Sequence, residues 1–348
     1  MGDQYQKSYR LGRSPGEQGP RPLSRNQDRV KKLVTGTTMH AITATKATTS
    51  TTITNAATTP TINTRAISTT TKGAPRQTPS TTTTKYDSQR LKMTKGILTV
   101  GTWNVRTLWA TGKLELLRNE MKRYKYDIID ISEVQWTGKG ETSNGNFIWS
   151  GEASTHSKGV GILLSTKAKK SVLGYNPINS RLITARFNAT PFNITIINVY
   201  APTSDAPEDD IETFYDNLED AVAQTPKKDV LVIVGDWNAK VGNDSTGWES
   251  IMGRYGYGDR NERDERLLEF ATLHNLFICN TRFQQKSSRK WTGESPSVVH
   301  KNMINLITIQ QRWKTFVINC RTFQVADISS NHSLVLCNIK LNTEESTQ

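Results

Sequence analysis

The sequence is short of the residues that would place it outside the cell or in a membrane. Three cysteines, Cys279, Cys320 and Cys337, are odd in number and lack metal-site spacing, so buried, reduced thiols are expected rather than a disulfide scaffold. No apolar run approaches the roughly 18 residues that a membrane helix needs. The start, MGDQYQ, has no apolar signal core, and Gln6 fails the myristoylation pattern. The expectation is a soluble intracellular protein, nuclear or cytoplasmic, not secreted and with no membrane partner. Hydrophobic residues are scarce too, at 35% of 348, low for a chain of this length that folds throughout.

Composition shows where folding should fail. Residues 1–94 are rich in Gly, Pro, Arg and Gln at first and then in Thr, with no apolar alternation. Such a stretch buries too little apolar surface to offset chain entropy, so a disordered basic tail is expected over 1–94. Of 45 basic and 32 acidic residues, 16 and 4 lie in the first 96, leaving 29 against 28 in the remainder. The net charge of +13 therefore sits almost wholly in the tail. A basic arm that touches phosphates nonspecifically and an inert extension both fit it.

From about residue 95 to 342 the texture changes. Apolar, β-branched runs recur at 97–105, 126–134, 159–165, 181–187, 192–200, 229–237, 316–323 and 333–341. Runs apolar on both parities predict strands buried on both faces. Helical spacing interrupts them. Leu114, Leu117, Met121 and Tyr124 share one side of 113–124, and Ile211, Phe214, Leu218 and Val222 do so in 209–222, after Pro207. Leu267, Leu268, Ala271 and His274 repeat the pattern in 264–275. Strands alternating with helices over this length predict a layered α/β sandwich.

Functional side chains in such sheets gather past strand ends. Asn104 closes the first run in TWNVRTL, Glu133 the second in ISEVQW, and Tyr200 the fifth in NVYAPT. Asp236 and Asn238 follow an aliphatic run in VGDWNAKVG, and His332 opens the last in NHSLV. A lone Glu at a strand end is more often a solvated group or a cap, and a Tyr before Ala-Pro packs as readily as it binds. Asp236 is sharper. A carboxylate emerging from a buried strand offers a base or a water-orienting group, and alternation would return Asn238 to the same face. Jointly the five clusters supply the residue types of a hydrolytic metal site.

Read in order, these segments resemble the endonuclease/exonuclease/phosphatase superfamily. Within it they are most similar to the endonucleases of LINE-type retrotransposons and the related craniofacial development protein 2-like sequences. The resemblance runs from about Ile97 to Leu341. It includes GTWNVRTL followed by GKLELL, ISEVQWTGKGE, KGVGILLS, GDWNAKVG, RNERDERLLEFA and QRWK. It implies a DNase I-like fold of two packed mixed sheets flanked by helices; a monomer is assumed, the sequence giving no oligomeric state. It also implies in-line hydrolysis of a phosphodiester assisted by Mg²⁺ (or Mn²⁺), in DNA or alternatively RNA. By motif, Glu133 resembles the metal ligand and Asn104 the carboxamide that supports metal and phosphate. Tyr200 looks like the phenol on the phosphate, and Asp236 like the residue that aligns or deprotonates water. Asn238 is similar to the donor toward the developing negative oxygen, and His332 to the histidine on the scissile phosphate. No reverse-transcriptase segment follows, so autonomous retrotransposition is not expected.

The resemblance breaks at catalytic positions. The family's Ser-Asp-His reads Ser330-Asn331-His332, and Asn305 and Leu306 stand where the family carries Asp and an aromatic. Ser297 and Val298 replace an Asp-Gly turn, while Asp264 and Val325 each replace a Gly. The family's Asp at position 305 pairs with the histidine. A carboxamide there carries no charge and can select the wrong tautomer, and Asn331 removes a second charge. Turnover reduced by at least ~10³ is therefore expected. The alternative is a catalytically inactive module, derived from a retroelement, that binds nucleic acid or protein. A lipid or inositol phosphate substrate has no special support in the near-neutral folded part. If the tail is an electrostatic arm, deleting residues 1–94 will weaken DNA binding and flatten its salt dependence in anisotropy titrations; unchanged slopes would mark it as inert.

Overall fold

In the computed structural model, which describes residues 88–93, 96–294 and 300–341, the β-branched runs become the strands of two mixed sheets. Strand β1 (Ile97–Asn104) leads through helix α1 (Lys113–Met121) to β2 (Ile128–Ser132), β3 (Lys139–Glu141), β4 (Phe147–Ser150) and β5 (Val160–Leu164). A short helix α2 (Thr166–Lys170) precedes β6 (Val172–Asn179), β7 (Leu182–Phe187) and β8 (Ile194–Tyr200). Helix α3 (Glu208–Ala223), β9 (Val230–Asp236), α4 (Glu262–Leu273) and β10 (Leu276–Ile278) follow. The chain continues through β11 (Gly293–Glu294), β12 (Lys301–Asn302), β13 (Asn305–Gln310), β14 (Val317–Phe323) and β15 (Leu334–Lys340).

One sheet has seven strands in the order β14-β15-β1-β2-β5-β4-β3, the other six in the order β10-β13-β9-β8-β7-β6. Among the described residues, the strands β1–β2 and β8–β9 pair in parallel and the other strand pairs within the sheets are antiparallel. Alternation sorts each central strand into an inner and an outer row. Leu98, Val100, Ile128, Ile162, Ile196, Val232, Val234 and Ile307 meet in the core between the sheets. Trp103, Ile129 and Ile131 face outward against Leu117 and Met121 of α1. Ile197, Val199, Leu231 and Ile233 cover the other outer face, against α3 and α4. Two apolar faces per strand explain the runs without polar alternation, and each fully buried aliphatic contributes about 1.5–3 kcal/mol.

The helices match the expected periodicity with shifted ends. Tyr124 lies past α1 and meets Phe323 edge-on at 5.4 Å. His274 caps α4 rather than belonging to it, and Val222 is half-buried. Strands β3, β4, β6, β10, β11, β12 and β13 were not expected. Most are short or polar, and β13 lay hidden inside the stretch read for its catalytic motif. Asp264, where a Gly was expected, forms a capping box with Asn261 and also accepts the Lys240 N–H at 2.9 Å. Val325 is 70% exposed. Cys279, Cys320 and Cys337 are buried and free. Among the described residues no helix is long and apolar enough to cross a membrane.

The tail expected over 1–94 lies outside the described residues except for 88–93, and the turn at Ser297 and Val298 also lies outside them. Residues 88–93 pack on the domain. The Gln89 and Leu91 N–H groups donate to Lys170 and Asn188 carbonyls, and Leu91 is buried. The folded part therefore starts earlier than residue 95.

One group breaks the apolar interior. Asp130 sits at the centre of β2, fully buried beside Thr102 of β1, and both its carboxylate oxygens lack a hydrogen-bond partner. An ion there would lose its hydration without compensation. Burial accordingly pushes the Asp130 carboxyl well above the usual range. The folded pKa exceeds the unfolded one, so the stability associated with this proton is complete at acid pH and is lost as pH rises between the two values. Asp130→Asn is expected to change the melting temperature little at pH 4. At pH 8 it should raise it, the difference growing by about 1.4 kcal/mol per pH unit within that interval. Thermal melts across pH test this; a substitution that is equally neutral at both ends would disprove it.

Candidate active site

Topology brings the candidate residues to one rim. The parallel pairs β1–β2 and β8–β9 end there with Asn104, Glu133 just beyond Ser132, Tyr200 and Asp236. The antiparallel neighbours β13 and β15 begin there, with Asn305 at the first position and His332 just ahead of the second. Parity does the rest. Leu98, Val100, Val232, Val234, Ile196 and Ile307 face the core between the sheets, so Asn104, Asp236, Tyr200 and Asn305, at even spacings along the same strands, face inward as well.

The two sheets are joined at that rim by Asn104. Its Nδ2 donates to Glu133 Oε1 and to Asp236 Oδ2, both at 2.7 Å. Its Oδ1 accepts the Arg106 N–H at 2.9 Å, which fixes the orientation of the amide. Glu133 itself is left-handed, φ 58°, directly after β2 ends. Positive φ at a non-glycine costs of order 1–3 kcal/mol, and the bond to Asn104 helps to hold it.

Asp236 is buried and accepts the Asn238 N–H through Oδ1 at 3.2 Å. Strand β9 stops at Asp236, so Asn238 does not return by strand alternation. It is itself left-handed, φ 46°, and its amide donates to the Ala201 carbonyl at 2.9 Å. Tyr200 lies beneath the Arg181 guanidinium, 5.2 Å from the ring centre. Burial, followed by the carboxylates of Glu133 and Asp236, raises its phenol above the ordinary value, so it remains a neutral donor at physiological pH.

His332 approaches from the other side. Its Nδ1 is 2.8 Å from Asn305 Oδ1 and 3.8 Å from Asp236 Oδ2. With the carboxamide oxygen accepting, Nδ1 carries the proton and Nε2 of the neutral ring is an acceptor. The loop is tied down by Ser330 Oγ, which accepts the His332 N–H at 3.1 Å and donates to the Asn104 carbonyl at 2.7 Å. Trp103 Nε1 donates to the His332 carbonyl at 2.8 Å. Asn305 is set by Thr292 Oγ1, which accepts its N–H, and by Asn280, whose amide donates to its carbonyl at 3.1 Å. Asn305 Nδ2 is buried with no partner, which costs about 1–3 kcal/mol.

The structure thus gathers Asn104, Glu133, Tyr200, Asp236, Asn305 and His332, with Asn238 beside Asp236. It does not gather Asn331, whose Nδ2 donates to the Glu294 carbonyl at 2.6 Å and so engages β11. Four positioning residues escaped sequence reasoning. Trp103 and Ser330 stood inside quoted motifs, while Asn280 and Thr292 had no signal because they hold backbone atoms of distant residues.

A hard divalent ion fits the donor set in part. Mg²⁺ takes one or two carboxylates and keeps several waters, and Glu133 is the half-exposed carboxylate beside buried Asp236. Asn104, expected as a supporting ligand, turns its Nδ2 to the carboxylates and its Oδ1 to Arg106, which suits a brace better than a ligand. Among the described residues no group of three or more His, Cys, Asp or Glu side chains is arranged to hold a metal.

Residues 101–297 match the endonuclease/exonuclease/phosphatase family. Craniofacial development protein 2 of Bos taurus is 40% identical over 257 residues, covering 73% of this chain and 43% of that protein. The same protein of Tragulus javanicus is 40% identical over 73% of this chain and 44% of its own length. The chain thus spans less than half of these curated relatives. Among solved structures, the endonuclease domain of TRAS1, a telomere-specific non-LTR retrotransposon, superposes with a TM-score of 0.50 at 16% identity, over 70% of this chain and 99% of that one. The 3′ phosphatase NExo from Neisseria, bound to a product DNA hairpin, gives 0.52 at 15% identity over 70% and 99%. These likenesses establish a shared α/β sandwich.

The alignment of Tyr200 with Asp236 depends on Gly235. It pairs with Val199 across the parallel strands, and a Cβ there would lie 1.9 Å from the Val199 carbonyl oxygen, at φ 151°. Gly235→Ala is expected to lower unfolding free energy by about 3 kcal/mol in chemical denaturation; an unchanged midpoint would contradict this register.

Proposed function

The chain belongs to the endonuclease/exonuclease/phosphatase family, and on that footing we propose that it hydrolyses a DNA phosphodiester with Mg²⁺ or Mn²⁺, at a rate held down by Asn305. The observation that carries this reading is the continuous hydrogen-bonded set Glu133–Asn104–Asp236, with His332 3.8 Å from Asp236. DNA is preferred over RNA because one of the structural relatives is solved with it.

Glu133 would hold the ion, which when bound neutralises phosphoryl charge. Asp236 orients a water and takes its proton. The bonds from Asn104 and Asn238 occupy part of its acceptor capacity and keep the carboxylate aimed. Tyr200, neutral, donates to a phosphate oxygen. Asn238 stands beside Asp236 as a further donor toward developing negative charge. His332 donates to the phosphate through Nε2 only when its ring is protonated, because Nδ1 already carries the proton shared with Asn305. A carboxylate at 305 would stabilise the imidazolium through its charge; a neutral carboxamide stabilises it less. In serine proteases the same exchange behind the catalytic histidine costs about 10⁴ in turnover.

The second reading, a binding module without turnover, is favoured by the unpartnered Asn305 Nδ2 and the missing charge behind His332. Asn331 weighs less, since its amide serves a structural bond to β11. Position 305 alone is therefore the one to restore. Plasmid nicking with and without Mg²⁺ separates the readings. The unaltered chain is expected to nick slowly, Asp236→Ala to stop nicking, and Asn305→Asp to raise it about 10²- to 10³-fold. Brisk nicking by the unaltered chain would overturn the impairment. No nicking by either chain, despite intact DNA binding, would favour the binding module.

A further inference from the structure

We propose that the rim beside Glu133 carries a stacking platform, Trp109, for one unstacked base of the bound DNA strand, with Arg106 placed for an adjoining phosphate. The inference rests on reading the neighbouring site as one for nucleic acid. Trp109 is 60% exposed, in the segment between β1 and α1. A single exposed Trp is ordinary on a protein surface. Three further observations set this one apart.

First, the indole is preorganised. It rests against the His156 ring, with centroids 3.5 Å apart and planes tilted by 40°, and His156 Nδ1 is 2.8 Å from the Gln135 carbonyl oxygen. Second, the segment is strapped to the strand end that presents Glu133. Val105 and Leu108 donate their N–H groups to the Ser132 and Val134 carbonyls at 3.2 and 3.1 Å. Third, Trp109 borders a cavity of about 400 Å³, lined also by Leu108, Trp136 and Trp149, which His156 does not line. The Trp136 and Trp149 indole N–H groups are already spent on the Leu108 and Thr137 carbonyls. The indoles therefore offer ring faces and edges rather than donors, beside the hydroxyls of Thr111 and Thr137, which suits a flat heterocycle held mainly by stacking.

The charge is adjacent. Arg106 is exposed, two residues past Asn104, and among the described residues its guanidinium has no ion pair or hydrogen bond. Three other cations of the same sheet's strands and connections are engaged. Lys113 donates to the Ile328 carbonyl at 3.2 Å, Lys139 to that of Ile178 at 2.9 Å, and Lys158 pairs with Glu152 at 3.2 Å. A strand leaving the scissile position toward this rim would meet a free guanidinium and then an indole face.

The test is binding by the full chain in EDTA, so that no DNA is cut. The probes are a single-stranded oligonucleotide and a fully paired duplex, plus a duplex with one extrahelical 2-aminopurine. Trp109→Ala is expected to weaken single-strand binding about tenfold or more and duplex binding less than about twofold, on the same footing. Trp109→Phe, which keeps a ring, should retain most of the affinity. The 2-aminopurine emission should be quenched on binding and recover in Trp109→Ala. Arg106→Gln should weaken both complexes and lower the salt slope by about one. Equal single-strand affinity of the unaltered chain and Trp109→Ala overturns the platform, as does failure to bind any of the oligonucleotides. Absence of Mg²⁺-dependent nicking sinks the catalytic reading alone, because this binding is measured without turnover.

Discussion

The Asn104 carboxamide stands between two carboxylates that arrive from different directions: Glu133 from beyond β2 in one sheet, and Asp236 from β9 in the other. Two anions sharing a partner at these distances repel by about 3 kcal/mol at an effective dielectric near 20. The amide offsets that repulsion with two charge-assisted bonds. It cannot turn over to present oxygen instead, because Arg106 N–H holds Oδ1. A neutral bridge holds the sheets' ends together yet leaves the negative charge in place. On the proposed reading, an ion would meet carboxylates that are already positioned.

Everything else at the rim is arranged around that bridge. Ser330 links the His332 loop to the Asn104 backbone, and β13 pairs Asn305 directly with Asp236. The histidine is therefore positioned by the same strands that carry the carboxylates. Replacing the charge at 305 while keeping the hydrogen bond is accordingly a chemical change more than a structural one. The ring is still held at 2.8 Å, by a neutral oxygen instead of a charged one. The residual strain shows in the unpartnered Nδ2 of Asn305, a buried donor facing no acceptor.

Much of this was legible in the sequence where local pattern and global fold agree. The runs around Trp103, Ile131 and Ile233 are apolar on both parities because both faces of their strands are buried, and the residues that end them must emerge at a rim. Asn104, Glu133, Tyr200 and Asp236 followed from that. Asn238 was found for a partly wrong reason: strand alternation would have brought it back, but β9 ends first and a left-handed turn does so. Asn331 reads as catalytic by motif, yet its amide is spent on Glu294. Asn280 and Thr292 were illegible because their work is to bind backbone atoms 13 to 27 residues away. Asp130 was hidden by its setting. Inside the apolar run 126–134 a single acid carries no sign of its surroundings, and only the packing of two sheets shows that it has nowhere to go.

Charge distribution limits how the domain can hold a substrate. With the basic excess confined to the first 96 residues and 29 basic against 28 acidic thereafter, the folded part attracts a polyanion weakly at long range. On the readings proposed above, a domain of that kind gains affinity at contact, from an ion at Glu133, from individual free cations such as Arg106, and from stacking on exposed rings. Its intrinsic binding should then depend less on salt than that of a basic-surfaced nuclease, and more on whether the DNA presents an unpaired base. The balance reverses wherever the basic segment reaches the same strand, since that segment supplies charge without geometry and the rim supplies geometry with little charge.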